Sequence, residues 1–395
     1  MIFPGEDIFA DAPRPTPLFA AVASASEANL WTSINGWTAA RVYSSVSEEY
    51  ETAKNSAALA DLGPLTRYAV RGADSADFLG RLTTAPAAGL HVGESARGLM
   101  LNEQGFVIDL AEVSRLSEDL FVITTPTAHG RRIKLAARGM NVDADDISGQ
   151  VAALGVFGPQ ASGVLAAAGL KSVNETMAAS GVLRGVETAA RPIQFGALPG
   201  VELIFPKDEA LTIWERIMRR GVGAPIGLDA MEVLRLESGA PRPGVDFIAA
   251  DRVSKAGGNN KGRLPEELGL AHLAPLDHGW FNGRRGLRER TGKPERRLIS
   301  LSIDDEVSMP GAAVFQNGAP VGRITSCAWS PARKRVVAFA DIAASSFGKD
   351  YEISVPAPKE GRVAARVLET AESALAKAYS GEKGYSAGAA TDFRR

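Results

Sequence analysis

Cysteine and histidine are nearly missing from this chain. One cysteine, Cys327, and four histidines, His91, His129, His272 and His278, stand among 395 residues. A single cysteine excludes an internal disulfide framework and a thiolate metal cluster, and it suits a reducing compartment. No two histidines stand at metal-ligand spacing, so each reads as a surface or packing residue. Asp277 beside His278 has the composition of an acid–base unit, but adjacent residues rarely face the same way. Net charge is scarce too: 44 basic against 46 acidic side chains leave −2, which argues against a nucleic-acid partner. No run approaches the ~18 apolar residues of a membrane span. The opening MIFPGEDIFADAPRPTP has acids and prolines where a signal peptide needs a basic region and an apolar run. A cytoplasmic protein is expected. A nucleophile elbow and a phosphate-binding glycine loop with its lysine are also lacking.

What remains is a normal globular mixture, 45% apolar and 23% charged, long enough for two or three domains. Residues 1–44 read as an irregular lead-in. SVSEEYETAKNSAAL reads as a helix, opened by a capping box from Ser45 to Glu48. LTRYAVRG is a strand ending at Gly72, and DSADFLGRL a short helix with Phe78, Leu79 and Leu82 on one face. VRGADSADFL at 70–79 and VFGPQASGVL at 156–165 share one plan of strand, tight turn and helix, with Pro159 at an early helical position. The echo suggests two similar α+β units. FVIDLAEVSR and LFVITT are neighbouring strands. DEALTIWERIMRRG is a helix with Ala210, Leu211, Trp214, Ile217 and Met218 at helical spacing and Gly221 at its end. A second box, Asp229 to Glu232, opens DAMEVLRLESG, which Gly239 closes. Residues 251–266 form a connector. From about residue 296 short strand candidates follow one another, with Asn317-Gly318 as a hairpin turn.

Two segments draw attention for their chemistry. In LNEQGFVIDLAEV, the turn Asn102, Glu103 and Gly105 precedes a strand that carries Asp109. By alternation Asp109 shares its face with Val107 and Ala111. A carboxylate there is costly unless it is hydrogen-bonded or exposed to a cleft. It reads either as an edge residue or loop anchor, or as a functional acid. In LRLESG, Arg235 has the fork that suits a carboxylate ligand, and a solvated or structural arginine is the competing reading.

The order of segments resembles the glycine-cleavage T-protein family, which includes aminomethyltransferases and folate-dependent demethylases. The segments are RPTPLF, YSSVSEEYETAKNSAALADLG, VRGADSADFLGRLTT, LNEQGFVID, VFGPQASGVL, GVELIFPKDEALTIWERI, IGLDAMEVLRLESGAPRPGVDF, LGLAHLAPLDHGWFNGRRGL and VGRITSCAWSPARKRVVAFADI, spread over about residues 15–370. The resemblance implies an α+β fold: a three-domain cloverleaf of two ferredoxin-like units and a small C-terminal β barrel. Boundaries near 1–150, 151–295 and 296–395 follow. It implies tetrahydrofolate as co-substrate, with neither metal nor flavin. The family's catalytic aspartate after the N-x-x-G turn maps onto Asp109; a second aspartate that often follows is Leu110 here. Asn102, Val107, Phe195, Glu202 and Arg235 are the implied folate-binding residues.

Departures shape the functional reading. FGALPGVE puts Phe195 where the family has tyrosine and Leu198 where it has a pterin-contacting glutamate. DLG at 61–63 replaces D-V-S, and LDHGWFNG places Asp277 or His278 near a usual lysine. The expectation is a demethylase acting on a small methylated metabolite through an N-, O- or S-methyl group. The alternatives are an aminomethyltransferase partnered by a lipoyl carrier protein, and a non-catalytic folate-binding scaffold or oxidase subunit.

Overall fold

The computed structural model describes residues 13–169, 179–183, 185–195, 198–219, 223–253, 262–277, 279–304, 309–355, 361–370 and 373. His278, Gly221, residues 1–12 of the lead-in and residues 254–261 of the connector lie outside the described residues. The chain divides into two compact units. One comprises Met1–Met100, Asp109–Arg235 and Gly279–Asn282, and the other Leu101–Ile108, Leu236–His278 and Gly283–Arg395.

The first unit contains three open sheets with helices, an α+β arrangement. The smallest has the order Arg14–Pro15, Trp37–Val42, Leu30–Ile34 and comes with the helix Phe19–Ala25, so the lead-in read as irregular is structured over its described residues. In a five-stranded sheet the order is Ser95–Leu101, Val107–Arg115, Leu120–Thr125, Thr66–Arg71, Asp143–Asp146. In a six-stranded sheet it is Ala179–Leu183, Val186–Phe195, Leu198–Pro206, Val151–Phe157, Ala57–Asp61, Gly223–Pro225. The repeated plan is real in the backbone. Gly72 and Gly158 both turn the chain at positive φ, +118° and +111°, a conformation that glycine adopts without steric penalty. Helices Ser75–Leu82 and Ala161–Ala168 follow at the same offset. Pro159 stands ahead of the N-cap Gln160 and so lies outside the helix.

Four local expectations change. The helix that starts at the Ser45 cap spans Val46–Asn55 and stops there, and Ala57–Asp61 is a strand. Ala57, Ala58, Leu59 and Ala60 are fully or almost fully buried, so pairing in the sheet outweighs alanine's helix propensity. Ser45 accepts from the Glu48 amide at 3.2 Å, whereas the Glu48 carboxylate bonds the Ser45 hydroxyl and not its backbone, so the box is half made. The helix Leu228–Ser238 begins one residue ahead of Asp229, whose carboxylate is therefore free to form a paired contact with Arg41. On Ala210–Met218, Leu211 faces solvent while Ala210, Ile213, Trp214 and Ile217 are buried.

The second unit holds a closed barrel of six strands: Arg296–Ile303, Arg335–Ala343, Ala319–Ser330, Ala313–Gln316, Asp350–Val355 and Gly361–Val367. Its core is aliphatic, built on Leu301, Ile303, Val314, Ile342 and Ile353. Asn317 and Gly318 both take positive φ between paired Gln316 and Ala319, the backbone of a tight hairpin turn. Also in this unit, Gly105 has φ +87°, and a Cβ there would lie 2.4 Å from the Leu287 amide nitrogen. Among the described residues no helix is long and apolar enough to cross a membrane.

Candidate functional site

Asp109 is fully buried and hydrogen-bonded on both oxygens. Oδ1 accepts the Leu110 amide at 2.8 Å. Oδ2 accepts the Thr127 amide at 3.0 Å and the Thr127 hydroxyl at 2.7 Å, and His129 Nε2 lies 2.8 Å away. The His129 amide in turn donates to the Tyr68 hydroxyl at 2.7 Å. An ionised carboxylate only accepts, so this geometry places the imidazole proton on Nε2.

A second cluster holds four charges. Glu202, on Leu198–Pro206, is fully buried between two arginines. Arg67 donates from Nε to Oε1 at 3.2 Å and from Nη2 to the same oxygen; Nη2 also donates to the Leu62 carbonyl and Nη1 to the Leu65 carbonyl, each at 2.9 Å. Arg191 donates from Nε to Glu202 Oε2, and its Nη1 is paired with Glu112 Oε1. Only Glu112 is substantially exposed, at 27% of its side chain. Burial pushes the Glu202 carboxyl up, but Arg191 and Arg67 outweigh it and hold the group below its ordinary value. For Glu112, burial dominates, and with the nearby Glu202 charge it leaves that carboxyl above its ordinary value despite Arg191.

Strand register separates these clusters. Glu112 pairs with Thr124, and Thr124 with Arg67, so the three form one cross-strand row. Residues in such a row point to one face, and successive residues to opposite faces. Burial alternates from Asp109 to Val113, as an unbroken strand requires. Asp109 therefore lies on the face of Tyr68, and Glu112 on the opposite one with Leu110, toward Arg191 and Glu202. The structure brings Asp109 together with Thr127 and His129, and it does not bring Asp109 together with Glu202.

The other expected residues are placed as follows. Phe195 is half-buried against Phe157, ring centroids 5.3 Å apart, and pairs across its hairpin with buried Leu198. Arg235 forms paired contacts with Glu232 one helical turn earlier, at 2.9 and 2.6 Å. In the second unit, the Asn102 carboxamide oxygen accepts the Gln104 and Phe106 amides and so builds its own turn. Val107 is buried, its amide bonded to the Arg263 carbonyl and its carbonyl to the Ala250 amide.

Sequence reasoning passed over His129, Arg67, Arg191 and Glu112. The signal for His129 was available. If the FVIDLAEVSR and LFVITT strands form a hairpin, continuing the ladder sets position 127 opposite 109. Among the described residues no group of three or more metal-ligating side chains is gathered.

Residues 20–259 match the GCVT N-terminal domain, and residues 296–371 match the glycine cleavage T-protein C-terminal barrel domain. The chain belongs to the glycine-cleavage T-protein family. It is an enzyme of the tetrahydrofolate-dependent transferase class. It is 27% identical over 336 residues to an aminomethyltransferase of Thermotoga petrophila, covering 82% of this chain and 89% of the relative. It is 27% identical over 350 residues to a probable aminomethyltransferase of Haloarcula marismortui, covering 84% and 93%. The solved structure of the glycine cleavage system aminomethyltransferase T from Bartonella henselae superposes with a TM-score of 0.80 at 21% identity, over 91% of this chain and 98% of that one. At that identity the likeness speaks for the fold, which is the expected α+β with a C-terminal barrel.

Proposed function

We propose that this protein transfers a methyl group from a small methylated metabolite to tetrahydrofolate, acting as a demethylase. The observation that carries this reading is the end of the hairpin formed by Val186–Phe195 and Leu198–Pro206. Where the sequences it resembles have a tyrosine and a pterin-contacting glutamate, this chain sets Phe195 against Phe157 and buries Leu198. An apolar end of this kind suits an uncharged methyl donor better than a cationic aminomethyl group. Tetrahydrofolate as co-substrate supplies the ring nitrogen that receives the carbon. We assign Phe195 to contact with its pterin, the arginine-held Glu202 to shaping the site that takes the pterin, and Arg235 to its carboxylate tail. Asn102 and Val107 serve by shaping the turn and strand beside Asp109. No metal or flavin takes part, and the setting is the cytoplasm.

For Asp109 we propose the anchoring role in place of the catalytic one that the resemblance implied. Its oxygens are occupied by four backbone and side-chain partners, and its face of the strand is not that of Glu202. The carboxylate ties the strand to the 127–129 segment.

A second reading is favoured by the names of the relatives: an aminomethyltransferase that draws its carbon from a lipoyl carrier protein. One experiment separates them. The purified protein is given tetrahydrofolate with a panel of N-, O- and S-methyl compounds, and separately with an aminomethyl-loaded lipoyl carrier. Formation of 5-methyltetrahydrofolate from a small donor supports the demethylase. Product from the carrier alone rejects it. Folate binding without product from either source indicates a scaffold or oxidase subunit.

A further inference from the structure

The three-stranded sheet of the first unit ends on an open strand, Leu30–Ile34. It pairs with Trp37–Val42 on one side, and among the described residues nothing hydrogen-bonds its backbone on the other. Such a row of amides and carbonyls is a template for another strand, and proteins usually blunt it with charge, proline or a bulge. Two other edges of this unit are blunted in that way. Arg14–Pro15, across the same sheet, has an arginine and a proline, and Asp143–Asp146 has three carboxylates. Leu30–Ile34 has no such guard. No charged side chain occurs from Ala28 to Ala40. The bulge in the hairpin puts its extra residue, Arg41, on Trp37–Val42, so the outer strand stays regular.

The strand is also held in place. Asn35 and Gly36 make a two-residue turn at its end, both at positive φ, +53° and +75°. The Asn35 carboxamide donates to the Pro64 and Pro126 carbonyls. At its start the Glu27 and Ala28 amides donate to the Tyr43 carbonyl at 2.9 and 2.8 Å. Trp31 packs on Phe19, ring centroids 5.4 Å apart, and against the buried core. Side chains alternate along a strand, so Leu30, Thr32 and Ile34 share the opposite face, where Leu30 is 48% exposed. This face is symmetric about Thr32, with one apolar residue two positions before it and another two positions after. An antiparallel copy centred on Thr32 sets Leu30 against the partner's Ile34, Ile34 against the partner's Leu30, and the two threonines against each other. Apolar β-branched and Thr–Thr pairs stabilise neighbouring strands. A two-fold contact also brings the same patch of both copies together, so a charge at its centre would face itself, and this strand has none.

We propose that Leu30–Ile34 is a self-association edge, at which two copies of this chain pair antiparallel about Thr32 and join their three-stranded sheets into one of six. The occupant is a second copy because the symmetric apolar pair and the absence of charge are what a two-fold contact requires; a partner chosen by charge finds nothing to read. Five residues from each copy make a small contact, and small interfaces are reversible, so the paired form builds up with concentration.

Sedimentation of the full chain from micromolar to millimolar concentration should show one copy giving way to two. Hydrogen exchange should show amides of Leu30–Ile34 becoming protected over the same range, a readout that needs no variant. Thr32→Lys sets two lysines face to face and should weaken association at least about tenfold, since like charges juxtaposed at an interface are costly. Thr32→Glu should do the same. Mixed in equal amounts, the two variants should associate again, because lysine then faces glutamate. Leu211→Lys, at an exposed helix position of the same unit, should leave association unchanged. A thermal melt checks that each variant is folded, and recovery in the mixture excludes misfolding as the cause of the loss. A wild-type chain that stays single at every concentration overturns the proposal. So does a Thr32→Lys chain that pairs like the wild type, or a mixture of folded variants that fails to associate. Protection of the edge at every concentration means that the chain covers it by itself, and this overturns the proposal too.

Discussion

Replacing Asp109 by asparagine keeps shape but removes charge, and it separates anchoring from catalysis. A carboxamide has one accepting oxygen and one donating nitrogen. If the nitrogen takes the place of Oδ2, it confronts the Thr127 amide, the Thr127 hydroxyl and His129 Nε2, all donors in the native arrangement. Flipped, it faces the Leu110 amide instead and leaves that buried donor without an acceptor. The flipped form is the cheaper. An unpaired buried amide costs about 1–3 kcal/mol, and charge-assisted bonds lose roughly half their strength when the charge goes. Together these give about 2–4 kcal/mol. For a unit of roughly 150–250 residues each kcal/mol moves Tm by about 2–4 °C, so Asp109→Asn should melt roughly 5–15 °C lower. The assay is a thermal melt paired with folate-dependent turnover at a temperature where the variant is fully folded. Anchoring predicts a lowered Tm with turnover within about threefold of wild type, surface-like in its kinetic effect. A Tm within a degree of wild type together with a hundredfold fall in turnover would refute the reasoning and restore the catalytic role.

Other outcomes follow from the same geometry. Glu202→Gln leaves Arg67 and Arg191 without their shared carboxylate and should cost about 3–5 kcal/mol in urea unfolding, as breaking a buried pair does. Glu202's lowered carboxyl contributes stability that is present above its ordinary value of 4.5 and lost as pH falls through the lower folded value. Glu112 has the opposite sign: its contribution is full below 4.5 and is lost as pH rises through the raised folded value. Glu112→Gln should therefore gain stability relative to wild type between pH 4.5 and neutrality, and a flat difference in unfolding free energy across that window would contradict the burial-driven shift. Gly105→Ala combines a positive φ with a clash on Leu287 and should destabilise the second unit by more than the ~1 kcal/mol usual for a surface change; an unchanged melt would mean that the turn relaxes freely.

Local patterns carried much of the fold into the sequence. The paired glycines of the repeated plan, the Asn317-Gly318 turn and the run of C-terminal strands all depend on backbone conformations that a few neighbouring residues decide. The strand Ala57–Asp61 was not legible, because its alanines fit a helix and only its partners Val151–Phe157 and Gly223–Pro225 make it a strand. Asp229 misled for a related reason: the spacing of a cap is there, but a distant Arg41 takes the carboxylate. At the site, Asp109 drew notice because a carboxylate inside an apolar strand is costly to bury without partners. Arg67, Glu112 and Arg191 gave no warning, and Glu202 was singled out only through the family resemblance. They come from four strands in two sheets, and no spacing in the chain announces that they will meet.

That meeting has a hereditary consequence. Four side chains that neutralise one another inside the protein form a single unit of change. Losing Arg67, Arg191 or Glu202 strands a charge among buried neighbours, and restoring balance takes a second replacement on another strand. Descendants of this chain should therefore keep all four or exchange them together. At identities as low as 27%, where whole-chain likeness no longer sorts one substrate from another, that quartet would serve as a marker for relatives that share this cluster.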